Sequence, residues 1–205
     1  MQSVVSLHPR QRIMRKLWSN PRFIVGIVVL GLTLFAAIGA PWLAPHPLGE
    51  SELINRLCPP NAQHWLGCDM EGQDILTVML YGSRISLYVA ALTVALSLSL
   101  GTLLGLLSGY WRGWFDLVTM RIVDIFLAFP GILLALTLTA IIGPSLYTVV
   151  FAIAASGWTS TARLVRGQVL SVREREFVQA SRALGASSQR LIFKHILPAI
   201  LSPLV

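Results

Sequence analysis

Long apolar runs alternate with short polar segments along most of the chain. The first run, residues 23–43, contains no charge, and as a helix rising about 1.5 Å per residue it would extend about 31 Å, enough to cross a hydrocarbon core. Further apolar runs cover residues 85–107, 122–142 and, more briefly, 146–161. A last apolar stretch starts at Pro198, a residue tolerated in the first turn of a helix. The pattern predicts an all-α, polytopic transmembrane helical bundle with four spans and the start of a fifth.

Composition agrees with a membrane protein. The chain has 205 residues, is 55% hydrophobic and 12% charged, and has a mean hydropathy of +0.69, which excludes an ordinary water-soluble domain. A formal net charge of +7 would suit nucleic acid. The Lys and Arg residues, however, stand in clusters between apolar runs, which is how membrane proteins place them and not how a basic groove is built.

The basic clusters also predict the orientation. Apart from Arg56 and Arg84, every Lys and Arg lies in residues 1–22, 108–121 or 162–197, and the positive-inside rule puts these segments in the cytoplasm. The chain is thereby divided into a cytoplasmic segment 1–22, an uncleaved first span 23–43, an acidic external loop 44–83 and a transmembrane core 84–205. That core includes a cytoplasmic loop at 162–197.

Two features inside the spans have simple structural interpretations. Gly101, Gly105 and Gly109 recur every four residues and share one helix face, which favours close helix packing over a pore-lining role. Asp124 follows Arg121 by one turn near the cytoplasmic end of the third span, and we expect these two residues to form an ion pair.

The sequence contains no complete enzyme or metal-binding motif. Ser156 in the segment IAASGW has no histidine in any predicted span to serve as its base, and no phosphate-binding GxxxxGK[ST] loop is present. The four histidines, His8, His46, His64 and His195, show no ligand spacing, so no metal site is expected. Cys58 and Cys68 share the external loop, and their spacing leaves open whether they form a disulfide. The sequence therefore predicts no enzyme and no cofactor.

The cytoplasmic segment predicts two short helices. In the first, Phe177, Ala180, Ser181 and Leu184 recur at helical spacing and form a largely apolar stripe, and Gly185 supplies a C-terminal stop. Ser187 or Ser188 can cap the second helix. A short amphipathic helix of this kind suits docking into a groove of a soluble partner better than lying on lipid, which would require a broader bulky face.

These residues resemble the permease subunits of ATP-binding cassette importers for dipeptides, oligopeptides and nickel complexes. EFVQASRALGA followed by HILP is similar to the family's cytoplasmic EAA loop, and HWLGCDMEGQDILTVMLYGSRISL, MRIVDIFLAFP and ARLVRGQVLSVREREFV match other family segments. Gln179 and Ser181 stand where the triplet commonly has Glu and Ala, Cys68 replaces the usual Thr and Gln73 the usual Arg. The resemblance covers about the first two thirds of a six-span subunit, so the chain is expected to be truncated before the last two spans.

The resemblance implies a multi-pass subunit of the bacterial inner membrane that moves a peptide or metal complex with energy from a separate ATPase. Its partners would be cytoplasmic ATPase subunits, a second permease subunit, an external solute-binding protein and membrane lipid. The implied ATPase-coupling residues are Glu176, Phe177, Gln179, Ala180, Ser181, Leu184, Gly185, Ala186 and Pro198. A stand-alone secondary transporter or channel is the alternative, although it would be expected to show ionisable groups at mid-membrane or an inverted repeat.

Overall fold

The computed structural model describes residues 19–201, which are mostly helical. The main helices are α1 (Pro21–Leu43), α2 (Ile75–Trp111), α3 (Gly113–Ala128), α4 (Gly131–Ile142), α5 (Leu146–Arg173) and α6 (Glu176–Ala183). A further helix, α7, joins Ser188–Arg190, a π-helical segment Leu191–Ile196 and Leu197–Leu201. The described residues contain an isolated β-bridge but no β-strand, so the prediction of an all-α membrane protein is confirmed.

The chain forms two compact units, Met1–Tyr88 and Val89–Val205. In the first unit, α1 starts where Asn20 accepts a hydrogen bond from the Arg22 backbone N–H at 3.1 Å, with Pro21 at the first helical position. Most apolar side chains of α1 are exposed, as expected for a helix that faces lipid. The loop after α1 contains one short 3-10 helix, Leu53–Asn55.

Within residues 19–201, α1 and α2 are long and apolar enough to cross a membrane, and α3 with α4 forms one further candidate that is bent by 89°. The third span predicted over 122–142 is not one continuous helix, because the helix breaks at Phe129 and Pro130. The span itself stays a prediction. Proline lacks an N–H and disfavours helical geometry at the preceding residue. α5 starts at Leu146 as predicted but continues to Arg173. The count of four spans and the start of a fifth stays a prediction.

The last apolar stretch also differs from the sequence expectation. A new helix was predicted to open at Pro198, whereas α7 already begins at Ser188, where the Ser187 hydroxyl accepts a hydrogen bond from the Arg190 backbone N–H at 3.4 Å. Pro198 instead lies inside a continuous helix, directly after the π-helical segment. Pro198 has no backbone N–H to donate, and the wider π turn before it changes the pattern of backbone hydrogen bonds at this point.

In the second unit, α2 contacts α5 through its glycines. A Cβ atom built on Gly101 would lie 2.5 Å from the Thr161 Cβ, and one built on Gly105 would lie 2.5 Å from the carbonyl oxygen of Ala162. At Gly109 the same atom would lie 2.8 Å from the Val169 Cβ. All three glycines therefore allow a backbone approach that any side chain would prevent.

α5 is the central helix of this unit and contributes to two buried clusters. The smaller cluster contains Val123, Trp158 and Ala162, with Phe126 and Trp158 rings edge to face at 5.8 Å. The larger cluster joins α2, α5, α6 and α7, and it is made by Leu106, Tyr110, Val165, Val169, Val172, Val178, Leu191, Ile192, Ile196 and Ile200. Helix α6 is thus attached to the transmembrane core by apolar packing.

We predict that Gly105→Ala destabilises the protein by about 1–3 kcal/mol, because the added methyl group overpacks the α2–α5 contact. The measurement is the unfolding midpoint of the purified protein in detergent. Gly167→Ala is the matched control, since Gly167 also lies in a helix but has nothing within 4 Å of its would-be Cβ. That control should be neutral or mildly stabilising. Equal midpoints for Gly105→Ala and the unsubstituted protein would contradict the packing role.

Candidate functional site

The candidate site is the surface of α6 and the side chains that hold this helix in place. Val178 is 0% exposed and inserts into the larger buried cluster. The helix has Glu176 in its first turn and Arg182 in its last, as the helix dipole favours. It ends before Gly185, whose φ of +82° is a conformation that glycine adopts at little cost. These ends agree with those predicted from sequence.

The opposite face of α6 is apolar and uncovered. Leu184 is 89% exposed and Phe177 is 43% exposed, while Ala180 is exposed and Ser181 is half-buried. These four residues are the predicted stripe, and the second unit does not bury it. Because exposed apolar side chains grouped on one helix face are unfavourable in water, such a face is typical of a binding surface.

The remaining implied coupling residues have different surroundings. Ala186 is half-buried and packs against the larger cluster, whereas Glu176 is exposed and Pro198 is exposed on α7. The side-chain amide of Gln179 donates hydrogen bonds to the carbonyl oxygen of Arg173 at 3.2 Å and to Glu174 Oε2 at 3.4 Å. Gln179 therefore satisfies a backbone carbonyl at the end of α5, which a carboxylate could not do.

Two arginines connect this region to the end of α2. The Arg173 guanidinium donates a hydrogen bond to the backbone carbonyl of Tyr110, near the last residue of α2. The Arg182 guanidinium lies 6.0 Å from the centre of the Tyr110 ring, at the outer limit of a cation–π contact. The last residue of α5 and the last turn of α6 thus both contact Tyr110 at the end of α2.

Ion pairs join α3 to α5 on the same unit. Arg166 donates two hydrogen bonds to Asp116, one of them 2.6 Å from Nη2 to Oδ2, and the buried Ser108 hydroxyl donates to the same carboxylate. Asp124 pairs with Arg163 at 2.6 Å. The prediction that Asp124 pairs with Arg121 is therefore wrong. The packing of α5 against α3 brings Arg163 of α5 closer to Asp124 than Arg121, which is on the same helix as Asp124.

The external loop of the first unit has an organised structure that local sequence patterns could not show. Cys58 and Cys68 form a disulfide with Cα atoms 4.9 Å apart, which settles the alternative left open by their spacing. The Thr77 backbone N–H donates to Asp74 Oδ2 at 2.8 Å, so Asp74 caps the start of α2. His64 Nδ1 lies 3.2 Å from Asp74 Oδ1, and the His46 ring stacks on that of His64 at 4.6 Å.

The charge of Asp74 follows from these contacts. Burial of its carboxyl group acts to raise the pKa, but hydrogen bonds from Thr77 and His64 and the neighbouring His46 outweigh burial and keep the pKa below its usual range. Asp74 is therefore ionised at neutral pH. The sequence identified His46 and His64 as histidines without ligand spacing, and it missed their meeting at Asp74 because the three residues come from separate segments.

Ser156, the nearest approach to a nucleophile, makes a local contact. Its hydroxyl donates to the carbonyl oxygen of Ile153 at 3.0 Å, one turn earlier in α5. This is a common hydrogen bond for a serine within a helix, and it needs no catalytic explanation.

Comparison with known proteins gives consistent matches. Residues 101–205 match the family described as the binding-protein-dependent transport system inner membrane component, and residues 8–60 match the N-terminal transmembrane domain of oligopeptide transport permease C. The chain is 42% identical to a dipeptide transport system permease protein of Alkalihalophilus pseudofirmus over 98% of its own length and 66% of the relative.

Other relatives give the same result. An oligopeptide transport system permease protein of Bacillus subtilis is 36% identical over 88% of this chain and 59% of the relative. A glutathione transport system permease protein of Escherichia coli is 40% identical over 85% of this chain and 58% of the relative. The chain spans about three fifths to two thirds of the length of these relatives.

We predict that Asp116→Asn lowers the free energy of unfolding by about 2 kcal/mol, because it leaves the partly buried Arg166 without its bidentate partner. Asp124→Asn is the matched control on the same helix. The Asp124 and Arg163 side chains are 54% and 55% exposed, so the loss there should stay below about 1 kcal/mol. Denaturant titration in detergent measures both. Equal losses would contradict the proposed difference between the two ion pairs.

We also predict that Gln179→Glu loosens α6 by about 1 kcal/mol, since the carboxylate cannot donate to the Arg173 carbonyl and is repelled by Glu174. Hydrogen exchange over residues 174–186 should become faster. Gln189→Glu is the matched control, because Gln189 is exposed in the first turn of α7 and makes no such contact. Unchanged exchange in Gln179→Glu would mean that the amide does not hold the helix.

Proposed function

Because this chain belongs to the family of binding-protein-dependent transport system inner membrane components, we propose that it is the membrane-spanning permease subunit of an ATP-binding cassette importer. It moves a solute across the bacterial inner membrane and receives its energy from a separate cytoplasmic ATPase. A second permease subunit and an external solute-binding protein complete the importer. The N-terminus faces the cytoplasm, in agreement with the position of the basic clusters.

One observation carries this proposal: α6 is fixed to the core on one face and uncovered on the other. Val178 is 0% exposed in a cluster shared with α2, α5 and α7, whereas Leu184 is 89% exposed. A helix held in this way can transmit a push or a pull, because a displacement of α6 must also displace the helices packed against Val178. The exposed stripe is the surface that the ATPase contacts.

The proposed mechanism is a two-state switch. ATP binding brings two ATPase subunits together, and the bound α6 moves with the subunit that holds it. The buried cluster that Val178 shares with Val165 and Val169 of α5 passes this movement to the transmembrane helices and shifts them between inward-open and outward-open arrangements. The energy comes from the preference of the closed ATPase pair for one arrangement.

The solute we propose is a peptide. The relatives are named as dipeptide, oligopeptide and glutathione permeases. The solutes in these names share a peptide backbone with charged ends. A nickel or other metal complex is the alternative that the sequence resemblance leaves. Uptake of a labelled dipeptide or of nickel by vesicles that contain the whole importer distinguishes the two.

We predict that a cysteine introduced by Ala180→Cys crosslinks to the ATPase when the chain is co-expressed with the ATPase subunits and the second permease of a peptide importer. Both native cysteines are joined in a disulfide, so the introduced residue is the free thiol of the chain. The product is detected as a larger band on a non-reducing gel. Gln189→Cys is the control, because Gln189 is exposed in the same predicted cytoplasmic loop, 162–197, but lies outside the apolar stripe of α6.

Leu184→Asp should reduce co-purification of the ATPase at least about 10-fold, since it places a charge in the apolar contact, while Gln189→Asp should leave it unchanged. Insertion of both variants into the membrane is checked by fractionation. Equal co-purification of the two variants would overturn the docking role of α6. Solute uptake driven by an ion gradient in nucleotide-free vesicles would overturn the ATPase-driven importer and support the secondary transporter.

A further inference from the structure

The external loop brings together two histidines and an aspartate from three different segments. His46 follows α1, His64 lies in the middle of the loop, and Asp74 caps the start of α2. One potential ligand atom from each of the three lies within 4.8 Å of the other two. This group is separate from α6 and from the ion pairs of the second unit, and the importer mechanism makes no use of it.

The backbone on both sides holds these side chains in position. The His46 backbone N–H donates to Thr77 Oγ1 at 3.4 Å, and the His64 backbone N–H donates to Asn61 Oδ1 at 2.8 Å. Nearby, Gly67 has a φ of +79°, and a Cβ there would lie 2.6 Å from the carbonyl oxygen of Cys58. The disulfide from Cys58 to Cys68 closes the same part of the loop. The backbone that carries His46 and His64 is therefore held by hydrogen bonds in a loop that the disulfide closes.

One atom of the group lacks a partner. His46 Nδ1 is shielded from solvent and makes no hydrogen bond within the described residues. It lies 4.0 Å from Asp74 Oδ1, which is too long for a hydrogen bond. A buried polar nitrogen left unpaired is unfavourable, and a cation between it and the carboxylate would satisfy both. The contact of His64 with Asp74 satisfies the His64 Nδ1 atom, whereas the stacking of His46 on His64 leaves His46 Nδ1 without a hydrogen bond.

The distances suit a metal ion. Ligand atoms about 2.0–2.2 Å from a tetrahedral Zn²⁺ lie about 3.3 Å from each other. The separation of His64 Nδ1 and Asp74 Oδ1 is already 3.2 Å, whereas His46 Nδ1 lies 4.0 Å from Asp74 Oδ1. The His46 ring stacks on that of His64 with an angle of 20° between the planes, so it must rotate out of this stack to bind the same ion. Asp74 Oδ2 is occupied by the N-cap hydrogen bond, so Oδ1 remains for the metal.

The surroundings are also suitable for a cation. A cavity of about 260 Å³ adjoins the group and has room for water as a further ligand. Glu50 and Glu52 line it together with the three ligands and make it electronegative. The alternative set of Cys58, His64 and Cys68 cannot supply thiolates, because both sulfur atoms are in the disulfide.

We propose that His46, His64 and Asp74 bind a divalent transition-metal ion of the zinc class, with a fourth position open to the cavity. Two imidazoles and one carboxylate are a typical ligand set for such an ion. The proposal departs from the sequence expectation of no metal site, which was based on local spacing.

The test uses the full chain, purified in detergent with a tag that contains no histidine. A background variant carries His8→Gln and His195→Gln, so that the histidines of the external loop are the ones that remain. After removal of metal with a chelator and of the chelator itself, Zn²⁺ is titrated by calorimetry. We expect one Zn²⁺ per chain, and a visible absorption band when Co²⁺ replaces it.

Two further substitutions in this background identify the ligands. His46→Gln removes a ring whose Nδ1 atom makes no hydrogen bond, and Asp74→Asn keeps a good N-cap while removing the charge. Each should weaken Zn²⁺ binding at least about 10-fold, with the disulfide shown intact by mass spectrometry. No Zn²⁺ binding by the background variant, or unchanged binding in His46→Gln, would overturn the proposal and leave His46 as an ion-pair partner of Asp74.

Discussion

α2 contacts α5 through its backbone, because Gly101, Gly105 and Gly109 of α2 place no Cβ atom between the two helices. In lipid, apolar side chains gain little from contact with each other compared with contact with acyl chains, so helices associate through close packing and polar contacts. Val165 and Val169 of α5 also belong to the cluster that buries Val178, so the α2–α5 contact adjoins the packing of α6. The position of α6 is therefore a consequence of the distance between α2 and α5.

The polar contacts of this unit follow the same constraint. Ser108 stands next to Gly109, is 0% exposed, and donates to Asp116, which in turn holds Arg166 of α5. Removing two charges from water costs more than most ion pairs return, so a pair of this kind adds less to stability than to the choice of one geometry. We interpret the Ser108, Asp116 and Arg166 contacts as fixing the register in which α2, α3 and α5 meet.

Local signals in the sequence predicted the local features of the fold. The residue types predict the stop at Gly185 and a cap at Ser187 or Ser188, because caps and helix ends depend on a few neighbouring residues. The structure has the stop, and of the two serines it uses Ser187. Pro130 is a local signal of the same kind for a helix break. The long apolar run around it instead favours one continuous helix, and the sequence prediction followed that run.

Contacts between distant segments could not be predicted in this way. The choice of Arg163 over Arg121 as the partner of Asp124 depends on the rotation of α5 against α3, which no local pattern encodes. The meeting of His46 with His64 depends on the path of the whole external loop. In both cases the residue types are plain from the sequence but their partners are not, since spacing along one segment shows neither the register nor the approach of another segment.

The departures from the family pattern acquire a physical meaning in the structure. Cys68, where the usual residue is Thr, forms the disulfide. Gln73, where Arg is usual, donates a hydrogen bond from its side-chain amide to Glu71 Oε2 at 3.2 Å. Gln179, where Glu is usual, donates to the end of α5. Each replacement supplies a contact within the chain at its own position. A lost carboxylate at residue 179 therefore does not leave α6 unsupported, and the apolar stripe beside it remains the part of the helix that is free to meet a partner.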